Sequence, residues 1–599
     1  MLTTALWISL GLVIYTAIAM GLRARGSLPP WISVFGPLVT FETRNGLERL
    51  DSLARGRSRR LWQAVTTGGV AVSVLLLVCT FALVLFAAYA ALTTESASDV
   101  NQPRNALAIP GVNDFLPLAA APEIVVGLFV GLFVHEFGHG LLGRIEDVGV
   151  ESAGVIFLAI VPFGAFVGLN ESDERAASTA SRARIYAAGI TNNLVVALLA
   201  VVILLALVST SIAAVPGLAV SGVYPATPAD EAGLERGDVI TAVDGDPIAD
   251  GDELREALDA TTQRVTLAVE GDRDDTETVP LERSVVVTST LEGDPERLDG
   301  SDDTHILEPG DTITAVNDTP VDTEREFADA LENETVATLE TDEGATTIVA
   351  GVAVAEIDPD GPLAAAGVTD ADALTITHLD GERVVDAEAL LEELADATPG
   401  ETVPVEIVTN GERETAAITL GDHDGEAILG ITPVAGTSGV TVTDLGVDPH
   451  PSEQHLAILQ GQPAADGLGS SALERALAVF TLPFAGLIGG LSTANFGGFV
   501  GSVANFYTVT GPLSIFGGGV FLAANVLFWT WWLNLLLGVF NCIPCYPLDG
   551  AKLLSTTVEG IGSRLSLDDP DRVATVAMVA ASVLTAGAIA LVLVSPMLG

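Results

Sequence analysis

The stretch GLFVGLFVHEFGH at 127–139 constrains this chain more than any other, being apolar enough for a bilayer core yet carrying two imidazoles and a carboxylate. An ionisable side chain at the centre of a membrane helix costs roughly 3 kcal/mol and by default marks a functional site. Positions i and i+4 of a helix share a face, so His135 and His139 offer ring nitrogens to one zinc ion. Glu136 then stands beside the metal, where a carboxylate takes a proton from water. The bland alternative is an ordinary helix with coincidental polar residues, and the cost of burying all three side chains argues against it.

Six apolar runs lie at about 4–22, 71–92, 121–142, 185–207, 520–540 and 573–593, each near the ~20 residues a helix needs to cross a bilayer. The first lacks a basic leader and a small-residue cleavage site, so it reads as a retained helix rather than a signal peptide. Eight arginines between 23 and 61 keep that loop cytoplasmic, and Arg182 and Arg184 mark the same side before the 185–207 run. His135 then lies about 14 residues from the outer end of its helix, about 21 Å into a core of about 30 Å. The metal is expected toward the cytoplasmic face. The segment SAGVIFLAIVPFGAFVGLN at 152–170 is broken by Gly and Pro and rich in β-branched and aromatic residues. It predicts a membrane-dipping hairpin or re-entrant loop, which is tolerated where the backbone lines a protein cavity.

Between about 215 and 435 the apolar runs shorten to strand length, and a repeat appears. GDVITAVDGDPI at 237–248 is echoed by GDTITAVNDTPV at 310–321 and, more distantly, by ALTITHLDGERV at 373–384. Each copy precedes a helix-like stretch, as at 252–258, 324–331 and 387–394. With PADEAGLERGD at 228–238 and GPLAAAGV at 361–368, the copies resemble PDZ domains of the bacterial protease type. Modules are expected at 215–290 and 351–435, with a weaker one at 291–350 and an acidic linker at 436–473. The resemblance implies binding of extended peptides by strand addition. The alternative is a steric filter without a ligand.

The apolar stretch 474–519 is interrupted by Pro483, Asn495, Asn505 and Pro512. If both 474–490 and 520–541 crossed the bilayer, everything after Asn541 would emerge away from HEFGH. The stretch 474–519 is therefore expected to be interfacial or re-entrant, and 520–540 one inward span. NCIPCYPLDGAK follows at 541–552. Catalytic zinc usually takes three protein ligands, and Asp549, at the face that the motif helix reaches, would complete the set. By itself Asp549-Gly550 also reads as a turn or N-cap. Cys542 and Cys545 spell CxxC, but only three cysteines exist, with no second pair and no thioredoxin-like surroundings.

HEFGH, then Gly164-Ala165-Phe166-Val167, then Gly189-Ile190-Thr191-Asn192-Asn193, a PDZ-like insertion and NxxPxxxLDG resemble the site-2 protease family of intramembrane zinc metalloproteases. The resemblance covers roughly 121–211 and 511–555 plus the insertion, and the wording at 544–550 is similar to the eukaryotic-like branch. It implies an α-helical polytopic membrane protein of about six spans plus re-entrant segments. Two N-terminal helices would lie within 1–92, the catalytic core at 121–211 and 474–555, and a last helix at 573–597. An α+β PDZ-like repeat region would be inserted on the extracytoplasmic side. One zinc ion would be held by His135, His139 and Asp549, with Glu136 as general base and later proton donor. Asn193 and Asn541 would lie near the site. Each either binds the substrate backbone or oxyanion, or makes a structural helix–helix hydrogen bond.

The 78 acidic residues outnumber 26 basic ones for a net charge of −52, and Lys552 is the only lysine. Such a surface repels itself in dilute buffer, whereas molar salt screens charges beyond about 3 Å. It points to a salt-loving archaeon and away from nucleic acid as a partner. Expected partners are transmembrane protein substrates, peptides or trimmed chain ends at the PDZ-like modules, and membrane lipids. The expected function is regulated intramembrane proteolysis in the cell membrane. One alternative is an adaptor or chaperone with a vestigial metal site, which would be expected to shed costly buried charges. Another is a zinc transporter, but His305, His378, His423, His450 and His455 all lie outside the apolar runs and mark no path.

Overall fold

The computed structural model describes residues 2–55, 57–93, 109–112, 116–159, 161–271, 276–290, 306–369, 374–409, 412–423, 425–462, 471–484 and 495–595. Residues 94–108, 291–305 with His305, and 485–494 of the expected re-entrant stretch lie outside these residues. The chain forms two compact units, one of residues 1–213, 453–501 and 507–599, the other of 214–452 and 502–506.

In the first unit, five helices among the described residues are long and apolar enough to cross a membrane: Arg59–Thr93, Leu118–Ile145, Thr179–Ser211, Gly518–Phe540 and Pro570–Val594. Helix Leu2–Ala24 precedes them, with a shorter apolar part at Leu10–Ala24. The HEFGH helix, Ala121–Ile145, packs against both Thr179–Ser211 and Gly518–Phe540. Glycines permit this approach. A Cβ at Gly127 would lie 2.7 Å from the Trp529 carbonyl, and one at Gly138 would lie 2.7 Å from the Ala188 oxygen. In lipid, where burial gives helices little reason to associate, such close small-residue contacts hold them together.

The 152–170 segment forms a hairpin of two nine-residue strands, Val150–Leu158 and Val161–Leu169, with Ala153 opposite Val167 and Gly154 opposite Phe166. Its β-branched and aromatic residues suit a pleated surface. The arginine-rich region departs from the loop expected for it. Ile32–Phe35 pairs with Leu38–Glu42, which in turn pairs with Val150–Leu158, so that the hairpin is extended to a four-stranded antiparallel sheet, and helix Arg44–Leu53 follows. Val161–Leu169 is one edge of this sheet, Ile32–Phe35 being the other, and lies on the HEFGH helix, where a Cβ at Gly164 would come 3.0 Å from Leu132.

Among the described residues of 474–519 no helix is long enough to cross. Helix Ala472–Thr481 starts from a capping box between Ser471 and Glu474. Rings then carry this stretch onto helix Gly518–Phe540, with Phe480 stacked on Trp532 at 5.8 Å and Phe496 edge-on to Phe528 at 5.5 Å. Asn525 clamps Phe499, accepting from its N–H at 2.8 Å and donating to its carbonyl at 3.1 Å. Helix Asp549–Arg564 follows, tied to Thr179–Ser211 by Arg182, which donates to both Glu559 oxygens.

Among its described residues the second unit holds three six-stranded sheets of corresponding order. From edge to edge, the first runs Thr276–Glu282, Arg264–Glu270, Val239–Val243, Leu218–Val223 and Val447–Pro449. The second runs Ala345–Val349, Val336–Thr341, Thr312–Val316, Val285–Ser289 and Thr441–Thr443, and the third Glu412–Thr419, Thr402–Thr409, Leu374–Leu379, Val352–Ile357 and Ile431–Pro433. In each, a two-residue strand pairs off this path across a tight turn, and Asp244-Gly245, Asn317-Asp318 and Asp380-Gly381 supply the positive φ that such hairpins need. The helices that follow, Gly251–Asp259, Glu324–Leu331 and Ala387–Asp396, are capped by Asp250, Thr323 and Asp386.

The closing strands overturn the expected linear boundaries. The third module closes first in sequence, then the second, then the first, so the modules are nested rather than consecutive. The 436–473 stretch is thus no simple linker, since it contains the last strands of modules two and one and helix Ser452–Leu459. Each closing strand follows or begins beside a glycine at positive φ: Gly430, Gly439 and Gly446. Two arginines join the modules, Arg283 buried and Arg383 partly so. Arg283 donates to Leu258 O at 2.8 Å and pairs with Asp444, while Arg383 donates to Glu334 O at 2.7 Å and Ala350 O at 2.8 Å.

Candidate metal centre and peptide groove

His135 and His139 leave one face of their helix as i,i+4 geometry demands. Asp549, 410 residues beyond His139, is the first residue of its helix, whose N-cap is Leu548. The Asp549 carboxylate therefore does not serve as the N-cap. Its Oδ2 lies 3.0 Å from His135 Nε2 and 2.9 Å from His139 Nε2, and the two Nε2 atoms are 3.1 Å apart. Among the described residues these three form the cluster suited to a metal ion.

The surroundings fit a cation. His139 Nδ1 donates to the Ile185 carbonyl at 2.9 Å, so a neutral ring turns the Nε2 lone pair toward the carboxylate. Two electron-rich atoms at 2.9 Å repel unless a positive charge lies between them. Ligand atoms of one tetrahedral zinc stand roughly 3.4 Å apart, a few tenths of an ångström wider than the spacing here. On the other ring, the Asn193 side chain reaches His135 Nδ1 at 3.4 Å, and Asn193 Oδ1 is buried without a partner. Turning that amide over gives Oδ1 the Nδ1–H and leaves Nε2 free to ligate, the usual outer-shell arrangement at a metal-bound histidine.

Glu136 points into the same cleft, about 430 Å³ in volume, and its Oε2 accepts from Val167 N–H at 3.0 Å. The strand edge thus orients the carboxylate. Asn541 also lines the cleft, but its amide nitrogen donates to Leu537 O at 2.9 Å, one turn back on its own helix. Of the two asparagines, Asn193 touches a histidine and Asn541 finishes a helix. Cys542 is buried with its thiol toward Gly538 O, whereas Cys545 faces the Tyr546 and Ser582 carbonyls.

Several participants carry no side-chain signal in the sequence. Val167 N–H and Ile185 C=O are backbone groups. Gly189 acts through what it lacks, because a Cβ there would stand 2.6 Å from His135 Cε1 and from His139 Nε2. Tyr186 and Lys552 line the cleft, with the Tyr186 hydroxyl donating to Glu174 at 2.7 Å.

The second unit has a groove of about 460 Å³ between helix Glu324–Leu331 and strand Thr441–Thr443 of the middle module. Phe327, Leu331, Val440 and Val442 give it an apolar floor, and Glu324, Asp386 and Glu388 add acid. Burial and the Asp444 carboxylate push the Glu324 carboxyl above its ordinary value, against opposing pulls that include Arg283.

Among curated proteins, the chain is 30% identical over 105 residues to a probable periplasmic serine endoprotease, DegP-like, of Halomonas elongata, covering 18% of this chain and 22% of that one. It is 53% identical over 45 residues to the putative serine protease HhoA of Synechocystis, covering 8% and 11%. An uncharacterized protein of Methanocaldococcus jannaschii is 30% identical over 132 residues, covering 22% and 34%. The chain therefore spans at most about a third of these relatives' lengths. Among solved structures, the PDZ domain of the SdrC-like protein from Listeria monocytogenes matches at 30% identity and a TM-score of 0.13, over 14% of this chain and 88% of that one. Peptidase family M50 matches residues 123–585. That match runs from the first turn of the HEFGH helix into the last membrane helix, so both halves of the histidine–aspartate cluster fall within it, and the chain belongs to peptidase family M50, the site-2 protease family.

Proposed function

We propose that this multi-pass membrane peptidase is a zinc metalloendopeptidase that hydrolyses bonds in or beside the transmembrane segments of other membrane proteins. One observation carries the reading: His135, His139 and Asp549 converge within 3.1 Å of one another in a cleft that also holds Glu136. His135, His139 and Asp549 would hold a zinc ion, which would supply Lewis acidity toward the scissile carbonyl and toward water. Glu136, fixed through Oε2 by Val167, takes the proton of the attacking water on its carboxylate and passes it to the leaving amine. Asn193 holds the His135 ring. The edge strand Val161–Leu169 suits a substrate strand unwound from its helix, since helical backbone groups are already paired with one another.

Arginine placement supports a site toward the cytoplasm and an extracytoplasmic PDZ-like unit. In that unit the middle-module groove is suited to an extended peptide or a trimmed chain end, and its acid favours a ligand with basic residues nearby. The acid-rich composition supports life in molar salt.

The test compares membrane-protein fragments in cells carrying the wild-type chain or Glu136→Gln. Loss of the base is expected to slow turnover about 10²- to 10⁴-fold with zinc retained, so short single-span fragments should accumulate in the mutant. Matching profiles under several stresses would reject proteolysis and leave the peptide groove, and an adaptor role, as the function to pursue.

A further inference from the structure

The one lysine in this chain stands in the metal cleft. Lys552 follows Asp549 by three residues on the same helix, so both side chains project from neighbouring positions of one face. Its ammonium lies 5.5 Å from the centroid of the Tyr186 ring. Four carboxyl groups line the cleft with it, and each is engaged elsewhere. Glu136 accepts from Val167, Glu174 from Tyr186 and Glu171 from Arg175, while Asp549 faces the histidines. Among the described residues Lys552 forms no ion pair. An aromatic face on one side holds a cation without neutralising it.

We propose that Lys552 is a specificity-determining residue that receives a carboxylate of the bound polypeptide. The inference deepens the metallopeptidase reading and rests on it. Two carboxylates can reach this place: an Asp or Glu side chain of the substrate, or the group that hydrolysis creates. In hydrolysis water oxygen bonds to the carbonyl carbon, the C–N bond breaks, and the water protons end on the amine and solvent, leaving a new carboxylate. Either is recognised by the same compact ammonium.

A lone lysine makes the test direct, because acetylation by N-hydroxysuccinimidyl acetate, read by mass spectrometry, reports on Lys552 alone among the side chains. The full-length Glu136→Gln protein, with its zinc content measured, is mixed with a synthetic single-span peptide carrying Asp just past the span, or Asn in its place. A second pair ends within the span as a free carboxylate or a carboxamide. Acetylation of Lys552 is expected to slow about tenfold with the acidic member of one pair, and the responding pair identifies the source. Equal protection by acid and amide in both pairs, or none in either, overturns the proposal. In the Glu136-intact protein, Lys552→Met should erase the preference for the acidic peptide in kcat/KM and Lys552→Arg should keep it. Arginine failing alongside methionine, with zinc unchanged, also refutes a charge-reading role. Protection is measured without turnover, so a chain that binds zinc but cleaves nothing defeats the protease reading and still decides this one.

Discussion

Replacing Gly189 with alanine tests whether helix Thr179–Ser211 presses on the metal ligands as closely as the structure shows. The new Cβ would lie 2.6 Å from His135 Cε1, 2.6 Å from His139 Nε2 and 2.7 Å from His135 Nδ1. Ordinary contact begins near 3.4 Å, so the rings or the helix must retreat by about 0.8 Å, comparable to the ~1 Å misplacement that costs about 10²-fold in rate. Neither ring swings away freely, because His139 Nδ1 is bonded to Ile185 and His135 Nδ1 faces Asn193. Overpacking of this kind costs about 1–3 kcal/mol, and disturbing groups around a ligand typically weakens metal binding about 10- to 100-fold. The assay is zinc retention against a graded chelator, with cleavage of a single-span substrate measured in parallel. Gly587→Ala is the control, since its Cβ would meet nothing within 4 Å. Wild-type zinc affinity and cleavage in Gly189→Ala would refute the argument that helix packing sets the ligand geometry.

Two further predictions concern the second unit. Arg283 and Asp444 are each 3% exposed at the side chain, so Arg283→Met, which leaves a buried carboxylate unpaired, should destabilise that unit by about 3–5 kcal/mol. Adding Asp444→Leu should recover much of the loss, with hydrogen exchange in 264–270 and 336–341 as the readout; a loss under about 1 kcal/mol would contradict the burial argument. Burial, then Asp444, raise the Glu324 carboxyl above its ordinary 4.5, so the folded chain holds that proton more tightly than the unfolded one. The stability this confers is complete below about 4.5 and disappears as pH rises through the folded value. Glu324→Gln should therefore match the wild type near pH 4 and melt higher near pH 7, and an equal difference at both pH values would disprove it.

The candidate site was legible wherever chemistry resides in side chains at fixed spacing. His135 and His139 follow from helical periodicity, and Asp549 from the need for a third ligand plus a count of crossings. Asn193 and Asn541 looked alike in the motif. Their amides differ only because one points across to His135 and the other back along its own helix. The strands at 32–42 were hidden for another reason. Four- and five-residue runs beside arginines show too little alternation to stand out until they pair with each other and Leu38–Glu42 pairs with Val150–Leu158.

The insertion shows the same division. Its repeats, turns and capped helices are local and were readable, whereas the closing strands are three residues long and more than a hundred residues from the first two modules' partners. Nothing local favours so short a strand; only pairing to Leu218–Val223, Val285–Ser289 and Val352–Ile357 stabilises it. Sequence by itself determined five of the six segments expected to suit a bilayer, which residues can ligate a metal, and that a repeated α+β insertion separates the two halves of the core. Tertiary structure alone decided the nesting of the modules, the strand amide that orients Glu136, and the glycine that lets a third helix reach the histidines. Those contacts are made by backbone or by the absence of a side chain, and neither leaves a periodic mark in the order of residues.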